Sequence, residues 1–372
     1  MTPVTAESEV DADLPDSGQA LTATAGGIPI RNIWHMLLYA WDQPDRIGAW
    51  RGDIERAPTL DALLATILTN LIEQRLRIGL GRDYATHVDE IPGIRGRVLF
   101  GETVRRMSLP HGKTVCRYQV FTPNVPKNHI VRTTLATLVD TGQFGITPVG
   151  ARLRGRLRRV VREMDAATLV PVHPADVARE QLRRHDRDYT LMLAICRLIH
   201  SRSMPMEDEG VEHAPVASRQ AFRMHDIYEK FVARFYELHL AEWRVQSQPQ
   251  WKWPAGGLST LLPAMRPDIV LEHHATQRLI VIDTKFTPHA LTSGQWGNLT
   301  FSRDHLFQIY AYLKSQEERS PLFRVATGIL LYPTAQHALS ERVEIQGHCI
   351  RWETVDLRQR WETIEKTLLA IP

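Results

Sequence analysis

The sequence predicts an α/β protein of two parts, a mixed helix-and-strand N-terminal region followed by a mixed-sheet C-terminal domain. Three observations carry this expectation. Apolar residues recur at helical spacing through much of the first half, β-branched runs of strand length occupy Arg266–Leu271 and Leu279–Phe286, and a helical run at Asp304–Gln316 separates these from further strands. The chain of 372 residues suits about two domains at the usual ~100–200 residues each.

Residues 1–27 carry Glu7, Glu9, Asp11, Asp13 and Asp16 with no Lys, Arg or aromatic residue and no periodicity, so they read as a disordered acidic leader. The net charge of +3 therefore hides a basic body, and it excludes both a histone-like polycation and an acidic solvating chain. Order is expected from Ile28, with an almost wholly apolar and hence buried helix through Ile33, Trp34, Met36, Leu37, Leu38, Tyr39 and Trp41. A second helix is expected over Thr59–Ile78. Between Asp83 and Pro123 the pattern turns to short strands broken by Gly and Pro, which suits a projecting hairpin.

Helix resumes at Lys127–Thr141 and at Arg152–Met164, the latter holding Arg152, Arg154, Arg156, Arg158, Arg159 and Arg162. Pro171 and Pro174 mark a boundary between Leu169 and Gln181, dividing the ordered chain into 28–180 and 181–372. The second part opens with a helix at Tyr189–His200, a loop over 201–218 and a long amphipathic helix at Gln220–Trp243. Strands are expected at Leu322–Tyr332 and Arg342–Trp352. Cys116, Cys196 and Cys349 form no CxxC, which argues against a disulfide scaffold or a thiolate zinc site. Without a signal-peptide profile or a long apolar window, the chain reads as cytoplasmic, with no membrane partner.

The chemistry concentrates in Arg266-Pro267-Asp268 and Ile282-Asp283-Thr284-Lys285. Two such strands joined by the polar stretch Glu272–Arg278 form an antiparallel pair. Side-chain alternation puts Asp283 and Lys285 on one face, with Asp268 arriving from the neighbouring strand. Two carboxylates and an ammonium on one sheet edge suit metal-assisted phosphodiester hydrolysis: hard oxygens hold Mg²⁺, and the lysine orients water or offsets developing charge. Glu229, in the long helix, is the candidate third acid. An Asp-x-Lys alone is usually an exposed ion pair. Here, however, the charges lie in apolar runs where unpaired ions are costly.

This order resembles the PD-(D/E)xK nuclease superfamily, and Gln308-x-x-x-Tyr312 resembles an element of its RecB-like branch, with both side chains on one helical face. A closer resemblance is to the McrC family, nuclease subunits of McrBC-type modification-dependent restriction systems. It rests on Ile28-Pro29-Ile30-Arg31-Asn32-Ile33-Trp34 through Trp41, Glu90–Arg97, His111–Val115, Leu261-Leu262-Pro263 and Val281–Lys285, in that order. The acidic leader departs from the family pattern.

The resemblance implies a PD-(D/E)xK restriction-endonuclease-like domain at 181–372. Asp268, Asp283, Glu229 and the backbone carbonyl of Thr284 would be metal ligands, Lys285 a catalytic group and Gln308 a positioning group. It also implies that region 28–180 docks into a ring of an McrB-like AAA+ GTPase and stimulates it. GTP would be bound by that partner rather than by this chain, and the DNA substrate would be a duplex containing modified cytosine, such as 5-methylcytosine. The alternatives are a stand-alone RecB-like nuclease and a non-cleaving activator of a ring NTPase.

Other signals are weaker. Gly112-Lys113-Thr114 mimics the end of a P-loop, but Met107 stands where that motif needs glycine, so no nucleotide is expected here. Arg95, Arg97, Arg105 and Lys113 on the projecting region are candidates for reaching a partner's triphosphate. The arginine helix is a candidate phosphate contact or a solvated face. His273-His274 reads as a surface loop, and Trp251 and Trp253 as core packing.

Overall fold

The computed structural model describes residues 28–144, 147–183, 186–203, 216–254, 261–287, 291–293, 299–333 and 338–372. The acidic leader expected over 1–27 lies outside them. Three helices open the chain: α1 (Ile30–Ala40), α2 (Arg51–Arg56) and α3 (Leu60–Ile78). Helix α1 is buried from Ile30 to Tyr39 except at Arg31, as its all-round apolar pattern requires. Helix α3 starts where Thr59 accepts a hydrogen bond from the Ala62 N–H (3.1 Å), relieving one of its unsatisfied donors.

Strands β1 (Asp83–Pro92) and β3 (Lys113–Thr122) pair antiparallel along ten residues each, from Asp83 opposite Thr122 to Pro92 opposite Lys113. Between them lie the two-residue β2 (Arg97–Val98) and a short helix α4 (Phe100–Arg105). The expectation of short strands broken by Gly and Pro is thus corrected: the Gly and Pro residues cluster at the far end, and the legs are long. Half-buried and exposed residues largely alternate along both legs, with Val115 and Cys116 buried near the far end, and cross-strand hydrogen bonds satisfy the backbone.

Helices α5 (Pro126–Thr141), α6 (Pro148–Glu163), α7 (Pro174–Arg179) and α8 (Arg187–Ser203) complete the N-terminal helices. In α6, Thr147 caps the first turn and Leu153, Leu157 and Val160 face the core. Three of its six arginines bond to neighbouring elements: Arg154 donates to the Val139 and Gly142 carbonyls, and half-buried Arg156 and exposed Arg159 pair with Glu73 on α3. Arg152, Arg158 and Arg162 are exposed.

Helix α9 (Val216–His239) leads into β4 (Trp243–Ser247), β5 (Ile269–His273) and β6 (Arg278–Thr284). The helix expected to reach Trp243 ends at His239, because Trp243 opens β4. Of the loop expected over 201–218, residues 204–215 fall outside the described residues, while 201–203 and 216–218 are helix ends.

A two-stranded ribbon, β7 (Leu291–Ser293) and β8 (Leu299–Phe301), precedes α10 (Arg303–Ser315) and α11 (Pro321–Arg324). The strand expected from Leu322 therefore begins only at β9 (Thr327–Pro333), since Pro321 opens a helical turn that ends at Arg324. Similarly, the strand expected over Arg342–Trp352 is a hairpin, β10 (Ser340–Ile345) and β11 (His348–Val355), turning at Gln346-Gly347, where both residues have positive φ. Helix α12 (Trp361–Ala370) ends the chain.

The large sheet runs β10-β11-β9-β6-β5-β4, with β11, β9 and β6 parallel and the outer pairs antiparallel, so the mixed α/β architecture is as expected. Alternation sorts its side chains. Ile269, Leu271, Ile280, Ile282, Ile329 and Leu331 pack toward α9 and α1, while Val270, Leu279, Val281, Leu330 and Trp352 pack toward α10. The first of these cores is continuous from α1, α3, α5, α6 and α8 to the sheet.

Asn32 on α1 donates to the Leu357 and Gln359 carbonyls at 2.7 and 2.8 Å, tying α1 to the segment before α12. No helix among the described residues is long and apolar enough to cross a membrane, and all three cysteines are free.

The helical region holds one fully buried ion pair, Lys127 Nζ to Asp186 Oδ1 at 2.7 Å. Lys127→Met should take from the buried Asp186 carboxylate its opposite charge and lower unfolding stability by ~3–5 kcal/mol, read by urea denaturation, whereas the double change to Met and Leu should recover most of the loss.

Candidate active site

The site forms where β5 begins and β6 ends. Ile269 pairs with Ile282 in the antiparallel ladder, so the preceding Asp268 meets Asp283 at the sheet's end. Asp283 and Lys285 share the α10 side, as strand alternation demands. Asp283 is 1% exposed. The Asp268 carboxylate is aimed by Thr284, whose N–H and hydroxyl both donate to Oδ2 at 2.7 Å. Lys285 Nζ lies 2.5 Å from Asp283 Oδ2. That ion pair lacks hydrogen-bond alignment, and the buried oxygen has no hydrogen-bond donor among the described residues.

Helix α10 supplies the next layer. Gln308 Oε1 accepts from Lys285 Nζ (2.7 Å), Gln308 Nε2 lies 2.9 Å from the Tyr312 hydroxyl, and that hydroxyl donates to the Arg266 carbonyl (3.2 Å). The helix comes this close because β9 carries Gly328. A Cβ there would stand 2.8 Å from Ile309 Cγ1 and 2.9 Å from Leu313 Cδ1. Tyr312 is also packed edge-on against Trp251, so its ring is core and its hydroxyl belongs to the site.

Helix α9 closes the third side. Glu229, nearly buried, accepts a hydrogen bond from the Gln248 side chain, and Gln248 N–H donates to the Asp268 carbonyl (2.8 Å). One turn earlier, His225 Nε2 lies 3.1 Å from the Thr284 carbonyl. His225, Asp226 and Glu229 offer ligand atoms within 4.8 Å of one another.

Burial, then the charge of Asp268, raises the Glu229 carboxyl to about 7. Burial and Asp268 also push Asp283 well up, against the lowering effect of Lys285. Carboxylates packed against their own electrostatic preference, with one buried oxygen lacking an aligned donor, fit a bound hard cation. Asp268, Asp283, Glu229 and the Thr284 carbonyl could hold one, with His225 beside them.

All five side chains expected in the catalytic set, Asp268, Asp283, Lys285, Glu229 and Gln308, thus converge on one end of the sheet. Sequence reasoning missed His225, Gln248 and the donor role of Thr284. It also missed Tyr332, whose phenol is raised by burial and by the charge of Asp283 and stands 2.9 Å from His305 Nδ1. Only the i, i+4 spacing of His225 and Glu229 on α9 could have flagged the histidine.

The decoys resolve separately. Trp251 is core, but Trp253 is half-exposed, its indole donating to the Pro263 carbonyl (2.8 Å), which corrects the expectation that both pack inside. His273 pairs with Glu242 and stacks edge-on with Trp243 at the β5 end, and His274 is exposed. Arg95, Arg97, Arg105 and Lys113 are all exposed toward the far end of the β1–β3 hairpin. Arg105 is tied to Glu102 (2.8 Å), the Arg95 guanidinium lies over the Tyr118 ring (4.4 Å), and Arg97 faces Arg117.

The family model for the McrBC 5-methylcytosine restriction system component matches residues 30–333. The chain belongs to that family. The match contains the hairpin, the five convergent side chains and His225. Among curated relatives, this McrBC-family chain is 29% identical over 350 residues to the Escherichia coli (strain K12) protein described as type IV methyl-directed restriction enzyme EcoKMcrBC, covering 92% of this chain and 97% of the relative. Among solved structures, it matches a chain of a Thermococcus gammatolerans assembly, described as McrB AAA+ hexamers with bound McrC. That match has a TM-score of 0.55 and 15% identity, and covers 92% of this chain and 76% of that one.

The raised Glu229 carboxyl sets a stability trend. The folded state binds this proton more tightly than the unfolded chain. The stabilisation is therefore fully present below about pH 4 and lost as pH rises through about 7, for a total of order 3 kcal/mol. Urea unfolding in chelator should show stability falling between pH 5 and 8, with a flatter profile for Glu229→Gln.

Proposed function

We propose that this chain is the DNA-cleaving subunit of a restriction system directed at modified cytosine, hydrolysing phosphodiesters with Mg²⁺ and working with an AAA+ GTPase ring. The observation that carries the reading is the convergence of Asp268, Asp283, Lys285 and Gln308 at one sheet end, with Glu229 on α9 beside them. The family match and the restriction activity named for the E. coli relative support it.

Asp268, Asp283, Glu229 and the Thr284 carbonyl would hold the cation, an all-oxygen set suited to Mg²⁺. When bound, the ion supplies Lewis-acid polarisation of the phosphodiester. Lys285 then brings a fixed positive charge to the place where negative charge grows on the phosphate, and can orient the attacking water. Gln308 and Tyr312 hold that ammonium in place through hydrogen bonds ending on the Arg266 carbonyl. Thr284 aims the Asp268 carboxylate.

Cleavage of cytosine-methylated plasmid should need the chain, its GTPase partner, Mg²⁺ and GTP together, and unmethylated plasmid should stay intact. Asp283→Ala should abolish cutting, and chelation of Mg²⁺ should do the same, with partner stimulation retained in the variant. Cutting by the lone chain without GTP would favour a stand-alone nuclease.

The hairpin supports the second half of the reading, since it carries exposed cations at its far end. Arg97 and Lys113 have no acidic partner among the described residues, unlike Arg105. Arg97→Ala and Lys113→Ala together should lower stimulated GTP turnover about ten-fold or more, the scale expected of a displaced cationic contact to a triphosphate. Unchanged turnover would remove these residues from the docking contact.

A further inference from the structure

The β1–β3 hairpin stands almost free of the body. Its legs pack on each other and on the short elements at the far end, and barely on the body helices. An open cleft of about 600 Å³, lined by Ile78, Leu80, Arg82, Phe121 and Pro123 among others, flanks its base. Packing therefore does not set the angle at which it projects.

Polar contacts at the base do, an outer ion pair from Arg183 to Asp83 (3.1 Å) and a buried ring of hydrogen bonds. Asn128 Nδ2 on α5 donates to the Gly81 carbonyl (2.8 Å), just before β1, and to the Pro123 carbonyl (2.6 Å), just after β3. One buried amide thus bridges the two legs where they leave the body. The Tyr189 hydroxyl on α8 accepts from the Gly81 N–H (3.0 Å) and donates to Asn128 Oδ1 (2.6 Å), closing the ring. Asn128 and Tyr189 are fully buried, and the Lys127–Asp186 pair walls the same pocket. Gly81 is required by space: a Cβ would stand 2.9 Å from Lys127 Cε and 3.0 Å from Tyr189 Cε2. In this arrangement every polar group of the ring is satisfied, and a tilt of the hairpin that broke these bonds would leave buried donors unpaired.

We infer that Asn128 and Tyr189 form a clamp that sets the hairpin's direction, and that they are positioning residues for activation of the nucleotide-hydrolysing partner. The second clause rests on the docking reading above; the first does not.

The test uses the full chain with Cys349→Ser and spin labels at positions 87 and 158, on the hairpin and on α6, so that the dipolar distance distribution reports the hairpin's angle. Tyr189→Phe, which keeps the ring, and Asn128→Leu should broaden and shift that distribution without lowering helical content. Both should cut stimulated GTP turnover about ten-fold at saturating chain, as a small misplacement of a distant contact does.

An unchanged distribution in a folded Tyr189→Phe variant would overturn the clamp. A broadened distribution with full stimulation would overturn its role in activation. If the wild-type chain fails to stimulate the partner, the docking reading falls, and the distance measurement still decides the clamp.

Discussion

The antiparallel register of β5 and β6 governs the candidate site. Because Ile269 pairs with Ile282, Asp268 and Asp283 are brought opposite each other at the edge of an apolar sheet, where their charges repel and solvent is excluded. A one-residue slip of β6 would turn Asp283 and Lys285 to the α9 side, among Ile269, Leu271, Ile329 and Leu331, and bury charge without partners. The aliphatic alternation that fills the two cores therefore also selects the one register in which the acids, the lysine and α10 meet.

The surrounding structure answers that concentration of like charge in three ways. Lys285 neutralises Asp283 and is itself held by Gln308. Thr284 donates twice to Asp268. Gln248 satisfies Glu229, whose carboxyl still sits about at neutrality. Gly328 contributes by what it lacks, allowing α10 to lie close enough for its amide and phenol to reach the site.

The two ends of the protein solve opposite problems. The central strands of the six-stranded sheet are buried on both faces, so their side chains are placed by packing. The hairpin has no buried face over most of its length and depends for its direction on a few hydrogen bonds at its root. A shared core connects them, running from α3, α5 and α8 through α1 and α9 to the sheet.

By itself the sequence determined the helices with strong apolar periodicity, the paired strands around Asp268 and Asp283, and the five side chains that converge, since strand alternation and helical spacing are local rules that read directly from residue order. It misjudged elements where a local signal is ambiguous. Trp243 extends an apolar helix face as readily as it opens a strand, and Leu322–Phe323 look like strand residues until Pro321 starts a turn. Tertiary structure alone decided that His225 lies against the Thr284 carbonyl, that Gln248 reaches Glu229, and that Asn128 and Tyr189 grip Gly81. These contacts join segments far apart in the chain, and their geometry exists only once the cores have packed.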